Sequence, residues 1–245
     1  PEDQHTFPGL LLTFLLKWRG WDVVHLGARV PAARLEATLA RVKPSLVILT
    51  AQHLHSAATL LETAQILIDA RVPLAYGGRI FNLIPSLRQR IPGHFLGERL
   101  ELAPKVAEQL LTGSMSLPET EAVADEYTQA LDTFRLNQTL MEAKVWRRLE
   151  ALGIGPEHLS IANEALSRNI AAALALGDID FLCTDITWVE GLLNNQGIPR
   201  EILSRYLQTY LEGAEKHLNS GGQPIVDWLT RLTSNSDTND ERIMR

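Results

Sequence analysis

The sequence predicts an α/β region with a doubly wound parallel sheet over residues 1–113 and a linker over 114–125. It predicts an all-α helical bundle over 126–233 and a flexible tail over 234–245. Three observations carry this reading. Short β-rich runs alternate with helix-length stretches in the first half, the pattern of repeated βαβ units. Residues 114–125 (SMSLPETEAVAD) are polar and contain a proline, the texture of a linker. Beyond them, apolar residues recur at steps of three, four and seven, and no strand signal survives.

Taken in order, Gly9 to Trp18 reads as a buried helix that Gly20 ends. Trp21 to Leu26 (WDVVHL) is a short strand closed by Gly27. Pro31 opens a helix that runs to about Lys43, proline being favoured in a first turn. Ser45 to Thr50 (SLVILT) is a continuous apolar run, as in the middle of a parallel sheet. A helix from about His55 to Ala70 leads to a strand at Pro73–Tyr76, which Gly77-Gly78 terminates. A short helix near Pro85–Ile91, a strand at His94–Leu96 and a helix from about Leu100 to Leu111 complete the region. A fold of this kind begins with a strand, and Pro1 stands inside what reads as the first strand-to-helix loop. The first strand is therefore expected upstream.

In the second region, Tyr127, Leu131, Phe134, Met141, Val145, Leu149 and Leu152 form one stripe of a long helix. Gly153 and Gly155 stop it, and Pro156 starts a second helix to about Leu176. Asp178 is placed to cap a third, over about Phe181–Asn194. A fourth runs from Gly197-Ile198-Pro199 to about Leu218, and a shorter one covers Pro224–Leu232. Up-down packing of about four helices is the expected solution.

The formal net charge of −6 argues against a nucleic-acid-binding face in these residues. The single cysteine, Cys183, rules out an internal disulfide and a cysteine-based zinc cluster, and fits a reducing cytoplasm. No apolar run reaches the roughly 20 residues that span a bilayer.

Ligands of an open parallel sheet bind outside the carboxyl ends of its strands. Four loops occupy that edge: the His5 loop, Leu26-Gly27-Ala28, Thr50-Ala51-Gln52-His53 and Gly77-Gly78-Arg79. Asp3-Gln4-His5 puts an acid two residues before a histidine at a helix start, which is one way to present an imidazole to a metal. The paired glycines remove side chains where something bulky approaches the backbone. His53 and His55 lie two apart without an apparent third ligand and read as rim residues. His25 reads as a residue at the core edge. His94, His158 and His217 carry no partner signal, and Cys183 reads as buried.

Together these loops resemble the cobalamin-binding domain of the methionine synthase and methylmalonyl-CoA mutase type, a flavodoxin-like fold. In texture they are closest to the CarH-like light-responsive cobalamin regulators. The family pattern is D-x-H-x-x-G, then S-x-L, then G-G. Asp3-Gln4-His5 matches the first part, Thr50-Ala51-Gln52 stands where S-x-L is expected, and Gly77-Gly78 matches the last. Gly20-Trp21, Leu26-Gly27, Tyr76 to Asn82 and Phe95-Leu96-Gly97 agree in order and spacing. Pro8 replaces the motif glycine and Gln52 the leucine. The resemblance implies a base-off adenosyl- or methylcobalamin with His5 as the cobalt ligand, Asp3 fixing its tautomer and Thr50 extending the relay. It further implies that the displaced nucleotide tail threads past Gly77 and Gly78. Gly27, Gln52, Arg79 and Gly97 complete the implied cofactor-binding set.

The relatives cover the upper cofactor face with a helical cap. Here the bundle follows the α/β region, and it contains no Glu-His pair of the light-responsive kind. Trp188, near Glu190, is the candidate capping residue, with core packing as its other reading. Trp146, Tyr206 and Tyr210 read as packing. No catalytic residue can be named. The expected function is a cytoplasmic sensory or regulatory protein that relays corrinoid state through the bundle to a signalling partner or a second copy, with light response as a narrower form. The alternative is a corrinoid-carrying subunit of a methyltransferase. A third reading is a receiver-like module without a cofactor. It lacks the acid that a receiver needs where Thr50 stands.

Overall fold

A computed structural model describes residues 6–28, 30, 32–113, 115–150, 155–182 and 200–243. The chain divides into two units, Pro1–Ala122 and Val123–Arg245.

In the first unit, β1 (Val47–Thr50), β2 (Leu74–Gly77) and β3 (His94–Phe95) form a parallel sheet in the order β1-β2-β3. Val47 stands opposite Leu74, Thr50 opposite Gly77 and Ala75 opposite His94. The connecting helices are α1 (Phe7–Trp18), α2 (Ala32–Val42), α3 (Leu54–Asp69), α4 (Arg79–Leu83) and α5 (Ala103–Leu111). Every residue of β2 is buried. Leu12 and Leu16 of α1 and Ala103 and Ala107 of α5 pack with Ala75 and Leu96 on one face of the sheet. Strand side chains alternate between faces, so Leu74 and Tyr76 point to the other. There Tyr76 meets Phe81 and Phe95. The parallel α/β class expected from the alternating runs is the class observed.

Four local expectations change. Trp21–Leu26 is not a strand and pairs with none among the described residues. A β-rich pattern makes a strand only when a neighbour exchanges backbone hydrogen bonds with it, and the Trp21 N–H instead donates to Leu16 O at 3.2 Å. Its alternation survives all the same: Trp21 and Val23 pack on the α1–α5 core while Val24 is exposed. The second change concerns Ser45–Thr50, read as a mid-sheet run. Its strand β1 lies at the edge of the described sheet, half-buried throughout. The third concerns α1, read as buried. It buries only Leu12 and Leu16, and it exposes Phe7, Leu10, Phe14 and Trp18, the last two in edge-to-face contact. The helix expected near Pro85–Ile91 is a 3-10 turn, Pro85–Gln89.

The second unit holds α6 (Asp125–Glu150), α7 (Pro156–Ala175), α8 (Arg200–His217) and α9 (Gln223–Ile243). Helix α6 packs against α7 and α8, and α9 against α8. Phe134, Met141, Val145 and Leu149 of the predicted stripe are fully buried. Asp178 acts as expected at a helical start: its Oδ1 accepts the Asp180 N–H at 2.9 Å and opens a 3-10 turn, Ile179–Leu182. The rest of the predicted third helix, with Cys183, Trp188 and Glu190, lies outside the described residues. Helix α9 continues through Ile243, past the Leu232 where the apolar signal ends and into the stretch read as a tail. The hydroxyls of Thr230, Thr233 and Ser234 bond back to the carbonyls four residues earlier, so these polar residues are accommodated within the helix.

Tyr206 and Tyr210, read as packing, are buried and also carry polar links across the bundle. Tyr206 donates to Asn163 Oδ1 at 2.9 Å. Ser167 Oγ donates to Glu142 Oε1 at 2.5 Å, which uses its single proton. The Tyr210 hydroxyl, 2.9 Å from Ser167 Oγ, must therefore be the donor there. Gln138 Nε2 completes the chain on Glu142 Oε1 at 2.7 Å. Burial raises the pKa of both tyrosines and keeps them protonated.

Candidate functional site

The carboxyl ends of the three strands lie side by side. β1 ends at Thr50 and turns through Ala51, Gln52 and His53 into α3; β2 ends at Gly77 and turns at Gly78 into α4; β3 leads into Leu96, Gly97 and Glu98. The first two loops are locked together. The Ala51 N–H donates to Gly77 O at 3.0 Å, extending the ladder by one bond beyond β1. Gly78 has φ +124°, and a Cβ there would stand 2.0 Å from Ala51 O. Only glycine fits. The space freed at Gly78 is therefore taken up by the chain's own Ala51 backbone, whereas the sequence reading reserved it for a ligand. At Gly77, a Cβ would come no closer than 4.0 Å to Leu96. Gln52, where the motif has leucine, is buried and accepts the Arg79 N–H through Oε1 at 3.2 Å. It thus satisfies one of the free N–H groups at the start of α4. Arg79 itself is exposed.

The third loop is braced from the side. The Arg88 guanidinium lies 4.1 Å from the Phe95 ring centroid, donates to Phe81 O at 2.9 Å and pairs with Glu98 at 3.1 Å. The Tyr76 hydroxyl donates to Arg88 O at 3.2 Å, and burial pushes its pKa up to about 12. Gly97 then turns with φ +100°, with nothing among the described residues within 4 Å of its side-chain position, which leaves open space beyond the end of β3. Gly27 has φ +80° and is likewise open among the described residues, but it follows a stretch that is not a strand of the described sheet.

Ser56 has no precedent in the sequence reading. It lies in the first turn of α3, 6% exposed, and its Oγ has no hydrogen-bond partner among the described residues. A buried hydroxyl without a partner costs about 1–3 kcal/mol, so it calls for an explanation. Nothing in the spacing distinguishes this serine from any other near a helix start. The rings of His53 and His55 stack at 5.4 Å and 6°, so they lie face to face and do not converge on a point. No group of three or more His, Cys, Asp or Glu residues that could hold a metal occurs among the described residues.

Asp3 and His5 lie outside the described residues. The helix they lead into is described, and His25 packs beside its first turn. The His25 ring would stand 3.4 Å from a Cβ at Gly9, and its Nδ1 is 3.3 Å from Thr13 Oγ1. His25 is exposed there, not part of the core edge. The edge as a whole supplies backbone turns, small residues and capping groups.

No family model matches the chain. Over 119 residues, 48% of its length, it is 29% identical to the methanol–corrinoid protein of Methanosarcina barkeri. The match covers 45% of that protein, so the chain spans less than half of the relative's length. No helix among the described residues is long and apolar enough to cross a membrane.

Proposed function

We propose that the α/β unit binds a corrinoid at the carboxyl edge of its sheet and that the helical unit relays or gates the state of that cofactor. The observation that carries this is the ordered loop set, Asp3-Gln4-His5, Thr50-Ala51-Gln52 and Gly77-Gly78, in a chain with a methanol–corrinoid relative. The residues present fit such a group in two ways. Gly97 leaves space beyond the carboxyl end of β3, and Ser56 Oγ is a buried polar atom with no partner among the described residues. His5 would hold the cobalt of a base-off adenosyl- or methylcobalamin, with Asp3 accepting the other ring N–H and setting its basicity. Thr50 would extend that relay, with Ser56 as a further candidate for its end. When bound, the corrinoid would supply a cobalt centre that carries an alkyl group. The chain's own part is to orient the imidazole, hold its proton at the distal nitrogen and exclude water from the lower face.

Two roles follow from the same lower face. In the first, the protein is a sensor or regulator that passes cofactor state to a partner or second copy, with light response as its narrowest form. In the second, it is the corrinoid-carrying subunit of a methyltransferase, with which a methanol–corrinoid relative is equally consistent. Reconstitution with methylcobalamin tests the shared claim. The expected result is a base-off, histidine-ligated spectrum that His5→Ala abolishes; a colourless protein, or a spectrum unchanged in that variant, overturns it. Methyl transfer to an added thiol or folate acceptor would select the carrier role. A spectrum or oligomeric state altered by illumination would select the sensor.

A further inference from the structure

Helix α6 buries one stripe and leaves another in the open. Phe134, Met141, Val145 and Leu149 are fully buried within the second unit. On the opposite side, Asp132, Leu136, Leu140, Ala143 and Arg147 recur at steps of three and four and are all exposed. Leu136 is 83% exposed, more than any other large apolar side chain among the described residues, and Leu140, one turn on, is 54% exposed. A single exposed leucine is ordinary. Two of them one turn apart, beside Ala143, form a strip on which a second helix can pack. Arg147 lies back along the strip, its Nε donating to Ala143 O at 3.2 Å. Lys144 and Arg148 mark the side of the helix turned toward α8, where both pair with Glu212.

The charges on the strip indicate what covers it. Asp132 closes one end and Arg147 the other, about 22 Å apart along the axis. Both are equally far from the point between Thr139 and Leu140. So are Leu136 and Ala143, and so are the exposed Gln129 and Glu150. A second α6 laid antiparallel across that point sets Asp132 against Arg147, Leu136 against Ala143 and Gln129 against Glu150, each contact occurring twice. A parallel copy would set Asp132 against Asp132 and Arg147 against Arg147, and like charges repel. We propose that the outer face of α6 docks a second copy of this chain, by antiparallel α6–α6 packing about a two-fold axis between Thr139 and Leu140. This is the second copy of the sensor reading, but the contact stands whether or not a corrinoid binds. One helix pair covers less than the roughly 800 Å² per partner of a standard interface, so the dimer is a weak one, with Kd on the order of 10–100 µM.

Sedimentation velocity of the whole chain at low salt, without added cofactor, from about 5 to about 500 µM, tests this. Wild type should pass from monomer to dimer across that range. Leu136→Ser should raise Kd by about tenfold with unchanged helical content, because Leu136 is exposed in the monomer. Asp132→Arg and Arg147→Asp, each alone, bring like charges together twice and should each raise Kd by about tenfold. The two combined exchange the ends of the strip and should return Kd to within about threefold of wild type. A chain that stays monomeric throughout overturns the proposal, as does a dimer that Leu136→Ser leaves as tight as wild type. Single charge variants that weaken the dimer without recovery in the combined variant overturn the antiparallel register. Corrinoid uptake, measured separately by absorption, should be the same in every variant, so a failure here is distinct from a failure of the cofactor reading.

Discussion

The two units differ at one buried hydroxyl. In the helical unit, the buried hydroxyls of Tyr210, Ser167 and Tyr206 are each spent within the bundle, on one another, on Glu142 or on Asn163. In the α/β unit, Ser56 is also buried and has no partner among the described residues. A closed polar network specifies how helices sit against each other, and removing any member leaves another unsatisfied. The Ser56 hydroxyl belongs to no such network among the described residues, which is why the proposed site includes it.

The largest expected effect lies where the sheet edge has no tolerance. Gly78→Ala places a methyl group against Ala51 O in a backbone conformation that side chains rarely adopt. The cost should be about 3 kcal/mol or more, because the strain and the collision add. Urea unfolding should show it. Gly77→Ala, with no atom nearer than 4.0 Å to its Cβ, should cost far less. Equal costs would mean that the two glycines share one role, as the motif alone would suggest.

A pair of serine variants sharpens the comparison between units. Ser167→Ala leaves the buried Tyr210 hydroxyl without an acceptor and should destabilise by about 1–3 kcal/mol; adding Tyr210→Phe should recover part of the loss. Ser56→Ala removes a group that has no partner to lose, so stability should stay within about 0.5 kcal/mol of wild type or rise. If Ser56 completes a cofactor relay, the same change should weaken corrinoid affinity. A Ser56→Ala chain as unstable as Ser167→Ala would place Ser56 in the core and remove it from the site.

These differences also explain what could be read in advance. The apolar runs of β1 and β2, the α6 stripe and the Asp178 cap are local patterns, and a local pattern needs only its own neighbours. Pairing is not local. Trp21–Leu26 keeps strand alternation yet pairs with no strand among the described residues, and α1 is apolar all round yet only one face is covered. The same holds at the edge. Gly77-Gly78 is visible as a motif, but Ala51, which gives Gly78 its necessity, is 27 residues away. Ser56 and the Tyr210 chain were invisible for the same reason, since each is defined by a partner far along the sequence, or by the lack of one among the described residues.

The smallest effect is a pH dependence carried by β3. His94 is buried beside Ala75, and desolvation lowers its pKa below the ordinary 6.5. Burial penalises the charged ring, so the unfolded chain takes up the proton more readily than the folded one. Stability from this group is complete above pH 6.5 and is lost as pH falls from there toward the folded value. His94→Leu should flatten that part of the profile, read as the difference in urea midpoint between pH 7.5 and pH 5.5. A slope that persists unchanged in His94→Leu would move the proton-sensitive group away from the sheet.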